Sequence, residues 1–583
     1  METKNRKSKY GFKRIGASVL CAVVALVGLS GCNSGSIFRP DEDEKVDTTK
    51  SQLYIGNCNG GLGFAWLEEV ANAFEEKYAE TSFEEGKMGV QVIIDNEVIG
   101  TIDGTQLKNN LPASRDDIFF TESVDYPYFV ANGSFLEITD VIKEDMAEFG
   151  EPGVTVESKI GTYTQNYLKS VDGKYYAIPF YEGLFGFAYD KTLFDKKGIW
   201  MQDDVDFSSA DLDFDNPDLS QLAVLFGSKA NKTAGRDGVK GTYDDGLPVT
   251  YEDFIAMCLF MNACGVTPLI WSGAHNDYIG KTFLNVWAQE AGADFLNTWN
   301  TLSGTVSDLI SIDADGNITE LDPVEINNYN AYEMIRSRSF YESLRFSEMF
   351  FGNRSFLHTS CLDSSCSHVK AQSQFLYSSV ISSSKAIAMF ADGSYWTCEA
   401  RETFNEMAED GEEYSWKNRE IGFMPMPTSI ARTDAKNTLI SFNEAFVFIN
   451  AKATGARQEL AKKFLQFSSC DEAIFIFSKN TAMTRGLSFT PSAEQREEMS
   501  YFANSLWDVS GDAEVVLTLS SNPLVQNRSD FFGLNLGVFT AKYNDGTTGS
   551  DAISNFINGK KLSPIAYFNA MYKYRTENYP VTL

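Results

Sequence analysis

Beyond residue 50 the apolar positions of this chain fall into a recurring order of strand, turn and helix. Leu53, Tyr54 and Ile55 form a short apolar run, residues 57–63 (NCNGGLG) a glycine-rich turn, and Phe64, Leu67, Val70, Ala71 and Phe74 recur at the spacing of one helical face. The order then returns. Residues 90–94 (VQVII) read as a strand, 116–123 (DDIFFTES) as a buried strand with a polar end, and 126–139 as a short helix and turn. Strands separated by helices predict sheets of α/β type, whose ligand sites lie beyond the carboxyl ends of the strands. Loop residues at those ends are the candidates for function.

The first residues carry a different pattern. Lys4, Arg6, Lys7, Lys9, Lys13 and Arg14 precede an uncharged apolar run over 15–29, the basic and apolar regions of an export signal. The run is shorter than the roughly 20 residues that a membrane-spanning helix needs. It ends Leu29-Ser30-Gly31-Cys32, which resembles the lipobox of bacterial lipoproteins, where small residues precede a cysteine that is lipidated and becomes the new amino terminus. On this reading residues 1–31 are a signal peptide and Cys32 is a lipid anchor in the cell membrane at its extracytoplasmic face. Residues 32–50, polar, acidic and without periodicity, are the lipidated tether.

Charge narrows the partners. The chain has a net charge of −31, and because its leader is basic the remainder is more acidic still. Nucleic acid is excluded, since no Lys/Arg cluster outside the leader offers phosphates a local exception, and the same field weighs against an anionic ligand. At 583 residues the chain exceeds one hydrophobic core, so at least two domains are expected. Beyond Cys21 and Cys32 it carries Cys58, Cys258, Cys264, Cys361, Cys366, Cys398 and Cys470. An odd number leaves at least one thiol unpaired within the chain, and their scatter is unlike a disulfide framework.

Several segments, in this order, point to a family: Asp117 to Thr121 (DIFFT) continuing into Tyr128 to Thr139, then Gly173 to Phe180 (GKYYAIPF) running into Gly186 to Phe194, then Pro248 to Phe254 (PVTYEDF), then Lys385 to Trp396 (KAIAMFADGSYW), and Glu444 to Asn450 (EAFVFIN) with the helix around 460–467. Together they resemble the carbohydrate-type extracellular solute-binding proteins of bacterial ABC importers, to which maltose-binding protein belongs. The resemblance spans roughly residues 51–490. It implies a two-lobe, periplasmic-binding-protein-like α/β fold of type II, each lobe a mixed sheet flanked by helices, joined by crossing hinge strands. The lobes are expected at 51–181 with 442–486 and at 182–441 with 487–583. It also implies closure over a sugar or short oligosaccharide and delivery to permease subunits in the membrane, by a monomer without cofactor, metal or catalysis. The chain is longer than typical members, and 203–218 and 294–328 read as insertions.

Sugar recognition pairs flat aromatic rings with groups that satisfy hydroxyls, because a buried polar group without a partner costs about 1–3 kcal/mol. Trp396, beside Asp392, Gly393 and Ser394, and Trp271, before Ser272-Gly273, are the first stacking candidates. Trp66 behind the glycine turn, Tyr181 and Glu182 after Pro179, Glu122 at its strand end, and Asn59 and Ser394 in their turns complete the expected site. Each has a plainer reading as core edge, cap or ion-pair partner.

Other chemistry is less supported. The turn Gly61-Leu62-Gly63 lacks the third small residue of a dinucleotide fingerprint, and Ser382-Ser383-Ser384-Lys385 lacks the companion motifs of acyl-enzymes. His358, Cys361, Cys366 and His368 match no common zinc spacing, and a local Cys361–Cys366 disulfide or a polar loop is preferred. Asp237, Asp244 and Asp245 form a loop able to hold calcium, whereas Asp313 to Asn317 departs from an EF-hand and reads as a tight turn. Two alternatives to capture stand beside it: an exported glycoside hydrolase with paired carboxylates, and a surface glycan-binding adhesin.

Overall fold

The computed structural model describes residues 46–95, 104–203, 205, 207–214, 216–381, 384–541, 550–559 and 562–580. The expected leader, the lipidated Cys32, most of the tether, and Ser382 and Ser383 lie outside the described residues.

Ser51–Asn57 has every second residue fully buried before its last three positions go inside, the signature of a strand covered on both faces. It pairs in parallel with Val90–Asp95, Ser51 opposite Val90, and with Ile118–Thr121, Ile55 opposite Ile118. Phe446–Ile449 runs antiparallel beside Ile118–Thr121, and Ile178–Pro179 completes this first sheet. The helix expected from residue 64 spans Ala65–Lys77 and turns Trp66, Leu67, Val70, Ala71 and Phe74 inward, where Phe74 meets Phe464 and Phe467.

A second sheet orders Thr267–Ile270, Ile387–Gly393, Phe185–Asp190 and Ile421–Met424, with the first pair parallel and the others antiparallel. The helix Tyr251–Ala263 on its flank starts at the expected cap. Thr250 Oγ1 accepts the Asp253 amide at 3.0 Å while Asp253 Oδ2 accepts the Thr250 amide at 2.9 Å, satisfying two donors that the helix start leaves open.

The chain passes between the two sheets three times. Residues 180–184 lead from Ile178–Pro179 into Phe185–Asp190, and Asn437–Ser441 leads back into Phe446–Ile449. Residues 482–492 then carry the chain from the helix Asp471–Thr481 to Tyr501–Gly511, whose Ser505 hydroxyl accepts the Phe423 amide of the second sheet at 2.8 Å. The ladder Asn437–Ser441 against Ala513–Leu517 lies beside the return crossing.

The stretch 294–328 folds as the helix Ala293–Thr301 followed by two small hairpins, Gly304–Val306 with Val324–Ile326 and Ile310–Ile312 with Ile318–Glu320. Asp313 makes the tight turn expected of it, its carboxylate accepting the amides of Asp315 and Asn317, both at 2.9 Å. In the Asp-rich loop the carboxylates bind backbone instead of facing one another: Asp244 Oδ2 takes the Arg236 amide at 2.6 Å and Asp245 Oδ2 the Gly241 amide at 2.7 Å. Among the described residues no group of three or more His, Cys, Asp or Glu is placed to hold a metal ion, and no helix is long and apolar enough to cross a membrane. All seven described cysteines are unbridged. The Cys361–Cys366 disulfide is therefore corrected: each thiol is buried separately, facing the carbonyls of Leu269 and Ser367.

Candidate functional site

The glycine turn after the first strand is held by Asn59, whose Oδ1 accepts the Gly63 amide at 2.8 Å and whose carbonyl accepts the Leu62 amide at 2.7 Å. Gly60 and Gly61 have φ of 52° and 80°, a region that side chains resist. The missing Cβ atoms matter for a second reason. One at Gly60 would overlap Glu122 Oε1, and one at Gly61 would stand 3.5 Å from Glu399 Cγ. Glu122 follows a strand of the first sheet and Glu399 follows one of the second, so the two rims approach at this turn.

Glu122 is held from behind. The Tyr181 hydroxyl donates to Glu122 Oε1 and accepts from Asn443 Nδ2, linking a first-sheet strand end to both the outgoing and the return crossing. Burial raises the Glu122 carboxyl above its usual range, and burial with the nearby Glu122 charge pushes the Cys58 thiol up to about 12. Tyr181 thus acts as a support, with its ring buried and its hydroxyl occupied.

Glu182 and Ser394 fasten the crossings. Glu182 Oε2 accepts the Thr484 hydroxyl at 2.9 Å and its amide donates to the Thr484 carbonyl at 3.1 Å, tying the first crossing to the third. Ser394 donates its amide to the Leu184 carbonyl at 2.7 Å, accepts the Leu184 amide at 3.2 Å on its hydroxyl, and donates that hydroxyl to the Glu182 carbonyl at 3.3 Å. Burial pushes the Glu182 carboxyl up to about 7. A folded-state value above the unfolded one means that the charged form burdens the fold at high pH and that this burden disappears as pH falls below the unfolded value. Glu182→Gln keeps an acceptor for Thr484. It is expected to raise the Tm at pH 8 and to leave it unchanged near pH 4, read by scanning calorimetry; equal shifts at both pH values would contradict the assignment.

The second sheet supplies an aromatic wall. The rings of Tyr278 and Tyr395 lie 5.6 and 5.9 Å from Phe185, and Phe442 of the return crossing lies 5.5 Å from it. His275 stacks on Tyr278 at 5.4 Å and stands 5.5 Å from His368. Gln372 Nε2 donates to Glu399 Oε2 at 2.8 Å. Burial raises the Glu399 carboxyl, and burial together with the Glu399 charge raises that of Asp392. Buried carboxyls thus stand in the same region as a cluster of aromatic rings, a mixture that suits a polyhydroxylated ligand.

The three tryptophans do not belong to this wall. Trp396 is 1 % exposed among Phe375, Phe390, Phe404 and Phe502, and Trp66 is 1 % exposed among Phe120, Phe180 and Phe477. Trp271 is buried too, against Phe351, its Nε1 donating to Asn276 at 3.3 Å. This corrects the expectation that they stack on ligand, because an indole enclosed on all sides has no face to offer. Its neighbour Tyr395 is the half-buried ring beside Phe185. Adjacent residues of a helical turn point roughly 100° apart, so one of the pair enters the core and the other stays at its edge. The signal was one position away, and Phe185, Tyr278, Gln372 and Glu399 carried no sequence mark at all.

No family model matches the chain, and no curated sequence matches it. Solved structures do. The apo form of RafE from Streptococcus pneumoniae aligns over 91% of this chain and 99% of its own at a TM-score of 0.52 and 14% identity. The chain has the two-lobe fold of the solute-binding proteins. RafE described as a solute-binding protein in complex with raffinose aligns over 90% of this chain and 99% of its own, at a TM-score of 0.49 and 14% identity. A probable secreted solute-binding lipoprotein from Streptomyces coelicolor aligns over 90% and 99%, at a TM-score of 0.49 and 11% identity. In the terms of that fold, the first and second sheets are the centres of the two lobes.

Proposed function

We propose that this protein captures a sugar or short oligosaccharide between its lobes, outside the cytoplasm, and hands it unchanged to an ABC permease. The observation that carries the reading is the approach of the Gly60–Gly61 turn, which packs on Glu122 of its own rim, to Glu399 of the other. A ligand draws two lobes together only by binding the closed state better than the open one, which requires contacts from both sides. Lobes of 51–181 with 442–486 and of 182–441 with 487–583 fit the three crossings, and Cys32 would tether the protein to the membrane. The RafE likeness supports the mechanical part of this reading, and the aromatic and carboxylate groove supports the solute class.

A panel of mono- and oligosaccharides tests it. A true ligand at about a hundred times its Kd stabilises the protein by about 2.7 kcal/mol, seen as a raised Tm, with a smaller radius of gyration in X-ray scattering and the glycan recovered intact. New reducing ends would instead mark a hydrolase. A raised Tm without compaction would point to an adhesin-like rigid site.

A further inference from the structure

We propose that residues 442–443 of the return crossing couple the Gly60–Gly61 rim to the hinge, with Asn443 as a positioning residue for Glu122. This rests on the capture reading and names the part of the chain through which contact at the rim and movement of the lobes become one event. Residues 442–445 belong to neither Asn437–Ser441 nor Phe446–Ile449, and Phe442, Asn443 and Glu444 are half-buried between the buried Ser441 and Ala445. Two consecutive side chains there reach different sheets. Phe442 meets Phe185 of the second sheet edge to face at 5.5 Å, whereas Asn443 donates from Nδ2 to the Tyr181 hydroxyl, which donates in turn to Glu122 at the end of a first-sheet strand. The next residue, Glu444, accepts the Val124 amide on its carbonyl at 3.4 Å, two positions past Glu122.

The relay has one polarity and little slack. A tyrosine hydroxyl holds a single hydrogen, so once it is given to Glu122 the oxygen can only accept, and the Asn443 amide is the donor that it takes. Asn443 Oδ1 then faces Gly183 of the outgoing crossing, where a Cβ would overlap it, and Glu122 Oε1 fills the space that a Cβ on Gly60 would take. Backbone bonds clamp both flanks: the Phe442 amide donates to the Gly183 carbonyl and the Phe180 amide to the Ala445 carbonyl, each at 3.0 Å. Rotation of the chain at 442–443 therefore carries Glu122 and the turn that rests on it, and by the same linkage a ligand that fixes the rim fixes the crossing.

Hydrogen–deuterium exchange of the purified protein without ligand, read by mass spectrometry, tests the link in both directions. Asn443→Asp keeps the shape of the side chain and exchanges its donor for an acceptor. It is expected to speed exchange over residues 58–63 about tenfold, the worth of one lost hydrogen bond, at a turn reached from position 443 through Tyr181 and Glu122. Tyr181→Phe is expected to do the same, and the two together no more than either alone, because they break one relay. Reciprocally, Gly60→Ala, which presses on Glu122, is expected to speed exchange over residues 440–446 severalfold. Thr484→Val severs a bond of the same kind between the first and third crossings, and exchange over 58–63 stays at the parent rate. Each variant is matched to the parent by circular dichroism, and Tyr181→Phe carries the test should Asn443→Asp not fold. Parent rates over 58–63 in the relay variants, additive effects of the two, parent rates over 440–446 in Gly60→Ala, or an equal rise in Thr484→Val would each overturn the inference and leave capture intact. A saccharide panel without a ligand would end capture while the exchange result stood.

Discussion

Trp396→Ala is expected to destabilise the protein by about 3–5 kcal/mol without removing any direct ligand contact, while its neighbour Tyr395→Ala does the reverse. The first value is what truncating a fully enclosed aromatic ring costs, since the cavity left among Phe375, Phe390, Phe404 and Phe502 cannot collapse completely. Tyr395 stands beside Phe185 on the wall proposed to bind the solute, where losing a central aromatic anchor would weaken binding by about 2 kcal/mol, roughly thirtyfold. Urea denaturation and calorimetric titration on the same two variants separate the roles. Trp396→Ala that folds with ordinary stability yet no longer binds would restore the indole to the site and remove Tyr395 from it.

Arg419→Met is expected to cost a similar 3–5 kcal/mol. Arg419 Nη2 lies 2.8 Å from Asp190 Oδ2 with the two side chains 5 % and 2 % exposed, and Ser379 bridges them, accepting from Arg419 and donating to Asp190, both at 2.7 Å. Removing the guanidinium strands a carboxylate inside the second lobe, at the end of the strand that carries the outgoing crossing and at the cap of the helix Lys191–Lys197. The double variant Arg419→Met with Asp190→Leu should recover much of the loss, because no charge is then left unpaired. A single-variant loss below about 1 kcal/mol in urea denaturation would show that the pair is solvated in solution.

The two variants also show where reading the chain stops. Tyr395 and Trp396 are neighbours, and both carry the aromatic character that marks a sugar wall. Which one turns outward depends on Phe375, Phe404 and Phe502, which come from other parts of the chain. Glu122, Glu182, Asn59 and Ser394 all read from the sequence as ligand-binding residues, yet their tasks in the fold differ: Glu122 packs on the Gly60 turn, Asn59 shapes that turn, and Glu182 and Ser394 fasten crossings. Gln372 and Glu399 sit in ordinary helical surroundings and joined the site only through folding.

While the segments that cross between the sheets were legible only through the family resemblance, sequence by itself determined the α/β class, the strand–turn–helix order and the Thr250–Asp253 cap. These are local: periodicity states which face of an element is apolar, and caps and turns are settled by residues within four positions of one another. Only the tertiary structure decided which aromatic ring enters the core and which carboxyls approach the Gly60–Gly61 turn. Burial of apolar surface is driven without direction, so a chain announces that a ring will leave water but not against which partners, and it is those partners that leave one ring free.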